Sequence, residues 1–188
     1  MSFGYPEEVG SISASILDAV KRRNRKVLFF AAAANFGGNQ KEMFPASHEH
    51  VISMRAADHL GTYQDFNPPM DIPGPREYMT LGKDVPATWL SNCPGDKCLS
   101  GTSVATPIAA GIVGTILADA RSSMDELKPE EQEALEKLWT RSGMTSMLGL
   151  ITKGHRMKDN CYLLNPFQFM TLEKAKRWAF MVVAVCSP

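Results

Sequence analysis

The sequence predicts an α/β protein built on a mainly parallel sheet. Two runs, KVLFFAAAA (Lys26–Ala34) and HVISMRAAD (His50–Asp58), carry the strands. The first is continuously apolar and opens on β-formers, as strands buried on both faces do. A helical pattern precedes them, and a long apolar helix follows at Ser103–Ala120. Helices alternating with buried strands are the signature of a sheet with helices packed on it. Sites in such sheets form beyond the carboxyl ends of the strands. That rule points to the loop after Ala34 and the turn before Ser103.

The elements follow in order. SISASILDAVKRR (residues 11–23) places Ile12, Ile16, Leu17 and Val20 at helical spacing. The chain opens on MSFG, which reads as the end of an earlier strand. NFGGNQKEMFPASHE (35–49) is a loop, interrupted by Gly37, Gly38 and Pro45. Residues 59–80 are rich in turn formers. YMTLGKDVPATWLS (78–91) reads as two short strands around Lys83–Pro86. Glu130–Leu148 is expected as one helix, with Pro129 near its first turn. The last 40 residues are poorly punctuated, with a helix expected over Thr171–Phe180. The chain divides into residues 1–150, one domain portion, and residues 151–188, a divergent tail of unknown role.

Composition narrows the function. The 188 residues are 44% hydrophobic and 21% charged, ordinary for a globular chain. Lys+Arg and Asp+Glu are both 20, so the net charge is zero. This argues against nucleic acid or an anionic membrane as a bulk electrostatic partner. The basic cluster KRRNRK (Lys21–Lys26) is read as cations at a helix C-terminus, where the dipole favours them. The first ten residues lack the pattern of a secretory signal. The longest apolar stretches, Ile108–Ala118 and Ala179–Cys186, fall short of the ~20 residues of a membrane span. Cys93, Cys98, Cys161 and Cys186 fit no zinc spacing, and free thiols are expected. Cys93 and Cys98 could close a small loop if oxidised.

The stretch SGTSVATP (Ser100–Pro107) carries the chemistry. Gly101 permits a backbone shape that other residues resist. Ser103 stands at a helix start, where unpaired N–H groups and the dipole favour negative charge. A serine there can cap the helix. It can also attack a carbonyl, with its own N–H facing the oxyanion that forms.

GTSVATPIAAG (101–111) resembles the nucleophile motif of the subtilisin-like serine proteases, the subtilases. FFAAAANFGGN (29–39) is similar to the family's Ala-Ala-Gly-Asn segment, MFPASHEHVISMRAADHLG (43–61) to its Tyr-Pro-Ala segment and following strand, and MSFG to its Met-Ser-Leu-Gly strand. The four segments keep the family's order. The resemblance implies a three-layer α/β/α fold with a mainly parallel sheet, lacking its N-terminal strands. It implies that Ser103 is the nucleophile and Asn35 the oxyanion-hole amide. It also implies a substrate-binding surface built from Ser2, Phe3 and Gly4, from Ala32, Ala33 and Ala34, and from Phe44, Pro45 and Ala46. A peptide or protein substrate would lie as an added strand against Ser2–Gly4. No metal or cofactor takes part in that reaction. The chain departs from the family at Ala34, where Gly is usual and a methyl could narrow the pocket, and at Ile108, where many members have His.

A serine hydroxyl needs a base, and the base an orienting carboxylate. The family's Asp-x-Gly and His-Gly-Thr motifs precede the asparagine, and residues 1–34 contain neither, nor any histidine. None of His48, His50, His59 and His155 is expected to serve. The chain therefore reads as the C-terminal part of a serine endopeptidase domain, inactive alone, whose missing N-terminal part is its principal partner. The alternative is a non-catalytic module that binds peptides or a partner. The compartment stays open. The wording of residues 28–61 is similar to fungal intracellular members, which favours the cell interior.

Overall fold

The computed structural model describes residues 1–69, 77–88, 97–152, 156–158 and 161–186. Cys93 and His155 lie outside the described residues.

Helix α1 (Gly10–Arg22) carries Ile12, Ile16 and Val20 on one stripe, and Ile16 is buried against Ala31, Ala46 and Val51. Leu17, counted with that stripe from sequence, falls off it and is 45% exposed. Lys21 and Arg22 occupy the last turn, Arg22 pairs with Asp18, and Asn24 and Arg25 at positive φ reverse the chain. Strands β1 (Phe29–Ala32) and β2 (Val51–Ala57) pair in parallel, Phe29 opposite Val51. Strand β3 (Glu77–Leu81) continues the parallel order, Met54 opposite Tyr78. The two short strands expected over 78–91 are β3 and β4 (Val85–Ala87), and β4 pairs antiparallel with β5 (Lys97–Leu99) in a separate ribbon.

Helix α2 (Thr102–Ser123) crosses behind the sheet. Its buried residues Ala109, Val113, Ile116 and Ala120 meet Phe30, Ile52, Met54 and Tyr78. Alternate strand residues face the other way, toward α1 and the loops, as the two-residue period of a strand requires. The helix expected over Glu130–Leu148 is two. Helix α3 (Pro129–Glu136) passes through a 3₁₀ turn into α4 (Arg141–Ile151). Thr140 ends the 3₁₀ turn and starts α4, where its hydroxyl accepts the Gly143 N–H at 3.2 Å. Gly143 sits so close to Lys137 that a Cβ would lie 2.1 Å from its carbonyl oxygen.

Beyond residue 150, β6 (Arg156–Lys158) and β7 (Cys161–Leu163) form a hairpin whose second strand pairs in parallel with β3. The sheet order is β1-β2-β3-β7-β6. A short α5 (Phe167–Met170) leads into α6 (Lys174–Cys186), which begins and ends later than the helix expected from sequence. Phe169, Met181 and Ala184 join the same core as α2 and α4. Arg177 grips both oxygens of Asp119 at 2.8 Å, fixing α6 to α2. The stretch after residue 150 thus contributes a strand and helices to the core formed by the residues before it.

Two features lie outside the sequence expectations. Arg55 is 1% exposed in mid-β2, with its Nε 2.9 Å from Glu77 and its Nη1 3.6 Å from Glu42. The Arg55–Glu77 approach is off the hydrogen-bond axis, so its attraction is chiefly Coulombic. In addition, α2 with the turn that follows it (Thr102–Glu126) is long and apolar enough, by length and composition, to cross a membrane, although no unbroken apolar run in the sequence is that long. Only 33% of its apolar window is buried.

Candidate active site

The site lies where β1, β3 and α2 meet, beyond the carboxyl ends of the strands. Ala33 donates to the Met54 carbonyl at 3.0 Å, which carries β1's line on toward Asn35. Gly82, just past β3, accepts the Gly101 N–H at 2.7 Å. A Cβ on Gly82 would stand 2.7 Å from that of Ala56 and 3.0 Å from that of Ala105, so only a glycine lets the α2 start approach the sheet this closely.

Gly101 adopts φ 144°, ψ 162°, a region held almost only by glycine. Its carbonyl accepts from Val104 at 3.0 Å and Ala105 at 3.2 Å. The Thr102 N–H has no partner inside the helix and donates instead to Asn35 Oδ1 at 2.7 Å. Thr102, fully buried, also donates its hydroxyl to the Ala34 carbonyl at 3.2 Å. These two bonds fix Asn35. A backbone donor on Oδ1 dictates the amide's orientation, and Nδ2 is turned toward the open face of Gly101.

Ser103 follows, half-buried in the first turn of α2. The point where a Gly101 Cβ would sit is 3.0 Å from Asn35 Nδ2 and 3.2 Å from Ser103 Oγ. The amide donor and the hydroxyl therefore border one small space, kept open by the missing side chain. The Ser103 N–H is one of the orphan donors of a helix start. A hydroxyl, a side-chain N–H and a backbone N–H at one helix N-terminus can attack a carbonyl and hold the resulting oxyanion.

The segments expected to bind substrate come together. Met1 runs beside β1, with Ala32 donating to its carbonyl at 3.0 Å. Ser2 donates its hydroxyl to the Ser103 carbonyl at 3.0 Å, tying this segment to the helix start. Tyr5 and Phe44 exchange backbone bonds of 2.7 and 3.0 Å, and Met43 donates to Ala33 at 2.9 Å. Ser2, Phe3 and Gly4 are exposed. The side chains of Ala32, Ala33, Ala34, Phe44 and Ala46 are buried, and so is Pro45, so what these residues can offer a ligand is chiefly backbone. Met43 was not singled out in the sequence. Its Cβ lies 2.9 Å from where a Gly4 Cβ would be, which makes it a wall of the same surface. Spacing alone gave no signal for it.

Two of the described histidines lie elsewhere. His48 and His50 precede the amino end of β2, a whole seven-residue strand from the site. The His48 ring stands edge-on to Phe44, and its Nδ1 accepts the His50 N–H at 3.1 Å. His59 is exposed in the Asp58–Thr62 turn. Among the described residues no histidine or carboxylate bonds to the Ser103 hydroxyl.

The sequence model described as "Subtilase family" matches residues 1–148. "Subtilisin-like protease 2" of Pseudogymnoascus destructans is 31% identical over 109 residues, 57% of this chain and 26% of that protein. "Intracellular serine protease" of Paenibacillus polymyxa is 32% identical over 141 residues, 69% of this chain and 39% of that protein. The solved protease domain of PatA superposes with a TM-score of 0.63 at 20% identity, covering 96% of this chain and 58% of that one. The chain therefore spans well under half of these curated relatives and under two thirds of the solved neighbour.

Proposed function

Because this chain belongs to the subtilase family, we propose that it is the nucleophile-bearing part of a serine endopeptidase domain. The observation that carries this reading is the convergence of Ser103 Oγ and Asn35 Nδ2 on the open face of Gly101. A peptide or protein substrate lies along Ser2–Gly4, with its scissile carbonyl over that face. Ser103 Oγ bonds to the carbonyl carbon while its proton passes to a base. The carbonyl electron pair moves to oxygen, which accepts hydrogen bonds from Asn35 Nδ2 and the Ser103 N–H. Collapse of this intermediate expels the amine, protonated by the same base, and leaves an acyl-enzyme. The base and its orienting carboxylate come from outside these 188 residues, so the chain alone is inactive.

The test is fluorophosphonate labelling of the purified, folded chain, with Ser103→Ala as control. Alone, the chain is expected to stay unlabelled. With imidazole added as a diffusible base, slow labelling is expected, and Ser103→Ala abolishes it. Labelling without imidazole would place a working base inside the chain and overturn the proposed division of labour. A folded chain that stays unlabelled even with imidazole would refute the nucleophile and favour a peptide-binding module.

A further inference from the structure

The end of a helix accounts for only part of the basic run Lys21–Lys26. Helix α1 stops at Arg22, so its dipole favours Lys21 and Arg22, and Arg22 pairs with Asp18. Lys26 bonds to Glu136 at 2.6 Å. Arg25 lies two residues beyond the cap Arg23 and is outside that account. Asn24 and Arg25 hold φ of 48° and 63°, a region an arginine rarely occupies. The Arg25 N–H closes the reversal on the Val20 carbonyl at 2.8 Å and turns Arg25 back against α1. There Arg25 and Arg141, 116 residues apart in the chain, line one cavity of about 250 Å³ together with Glu49, His50 and Ser142. Arg141 spends its Nε on the Val51 carbonyl at 3.4 Å, which orients the group and leaves its two terminal nitrogens uncommitted among the described residues. Among the described residues neither guanidinium has a carboxylate within 4.0 Å. Glu49, the carboxylate on the lining, stands 3.8 Å from His50 Nε2 instead, with a side chain 78% exposed. Two like charges on the wall of one small cavity repel each other unless an anion enters between them.

We propose that this cavity is a binding site for a phosphate dianion, either free or carried as a monoester. A guanidinium presents paired donors in one plane, and a phosphate can accept such a pair on more than one edge of its tetrahedron. It can therefore answer Arg25 and Arg141 together. A carboxylate has a single such edge and answers one. Ser142 adds a hydroxyl on the same wall. The Thr140 hydroxyl beside it is already used, donating to the Lys137 carbonyl at 2.7 Å and accepting the Gly143 N–H. The cavity is smaller than those that enclose drug-sized ligands and suits one compact group. It lies at the amino end of β2, a seven-residue strand away from Ser103, and the proposal does not depend on how Ser103 acts.

The test is isothermal titration of the full, folded chain with inorganic phosphate, at an ionic strength held constant with chloride. O-phosphoserine and succinate are titrated beside it. One phosphate per chain is expected to bind saturably, and succinate at least tenfold more weakly. Tighter binding of O-phosphoserine than of phosphate assigns the site to a monoester, and the reverse order to the free ion. Arg25→Gln and Arg141→Gln should each weaken binding about tenfold, the loss of a hydrogen bond to a charged group. Glu49→Gln should tighten it about two- to fivefold, because this partly screened carboxylate opposes the dianion. Arg25 and Glu49 are exposed, so these two variants keep the fold, which circular dichroism checks. They judge the proposal even where Arg141→Gln, which loses the bond to Val51, unfolds the chain. Absence of saturable binding would overturn the proposal. So would succinate bound as tightly as phosphate, or a phosphate affinity that neither Arg25→Gln nor Glu49→Gln moves.

Discussion

The same substitution, glycine to alanine, is expected to have opposite effects at the two ends of the first half of α2. At Gly114 the helix interior gains a methyl that meets nothing within 4 Å, so only helix propensity acts. That stabilises the fold by about 1 kcal/mol. At Gly101 the backbone sits at φ 144°, ψ 162°. Holding a non-glycine residue there costs about 1–3 kcal/mol. The new methyl would also lie 3.0 Å from Asn35 Nδ2 and 3.3 Å from its Oδ1, so Asn35 must move. Moving it strains or breaks the 2.7 Å bond to the Thr102 N–H, a further loss of about 1 kcal/mol. The unfolded chain gains the same stiffness at either position, so the difference reports the native state. With a urea slope of about 2 kcal/mol per molar, Gly101→Ala should lower the denaturation midpoint by roughly 1–2 M and Gly114→Ala raise it by roughly 0.5 M. Urea denaturation followed by circular dichroism measures both. If Gly101→Ala leaves the midpoint unchanged or raises it, the backbone at the site is not the one described, and the space shared by Asn35 and Ser103 does not depend on it.

Asn35 should separate its two duties. Asn35→Ala removes the acceptor of the Thr102 N–H and is expected to destabilise the chain by about 1 kcal/mol, as loss of a helix-start acceptor does. Asn35→Asp keeps that acceptor and sets a negative charge at a helix N-terminus, so its urea midpoint should hold or rise. In chain supplied with a base, both variants should lose roughly 10²–10³ in acylation rate, a magnitude established in subtilisin, a member of this family. Burial pushes the Cys161 thiol up from its ordinary 9.0 to about 12, and Tyr63 from 10.0 to about 12 for the same first cause. Each group then loses its proton in the unfolded chain before the folded one. Stability should therefore be level below pH 9 and fall as the pH climbs from 9 toward 12, and Cys161→Ala should flatten part of that fall. In the folded chain at neutral pH, iodoacetamide should modify Cys98 and Cys186, which are exposed, well before Cys161. Glu77→Leu leaves the buried Arg55 guanidinium with the Glu42 carboxylate at 3.6 Å and the Ser53 hydroxyl at 3.2 Å and should cost about 3 kcal/mol, most of which the double variant Arg55→Met/Glu77→Leu restores. A double-mutant cycle by thermal or urea denaturation reads it.

Much of the fold was legible because its signals are local. The i, i+4, i+8 stripe of α1 and the apolar run of β1 each declare themselves within about a dozen residues. What was misread depended on distant partners. Glu130–Leu148 looked like one helix because nothing in its periodicity shows that Gly143 must back onto the Lys137 carbonyl. β7 is three residues long, and it is a strand because β3 offers it an edge on one side and β6 pairs with it on the other. Arg55, in a mostly apolar run, gave no hint that Glu42 and Glu77, from a loop and a neighbouring strand, would enclose it.

The site divides along the same line. The sequence by itself singled out the groups of the proposed chemistry: a serine at a helix start, a glycine before it, and an asparagine after a buried strand, because residue type and short-range order are local signals. Only the tertiary structure decided that Asn35 and Ser103 share one space, 68 residues apart in the chain. Their meeting depends on Thr102 locking the amide and on the bare face of Gly101 leaving room for both. It likewise decided that His48 and His50 stand across a strand from the site. Such facts are sums over long-range contacts, which no local pattern of side chains encodes.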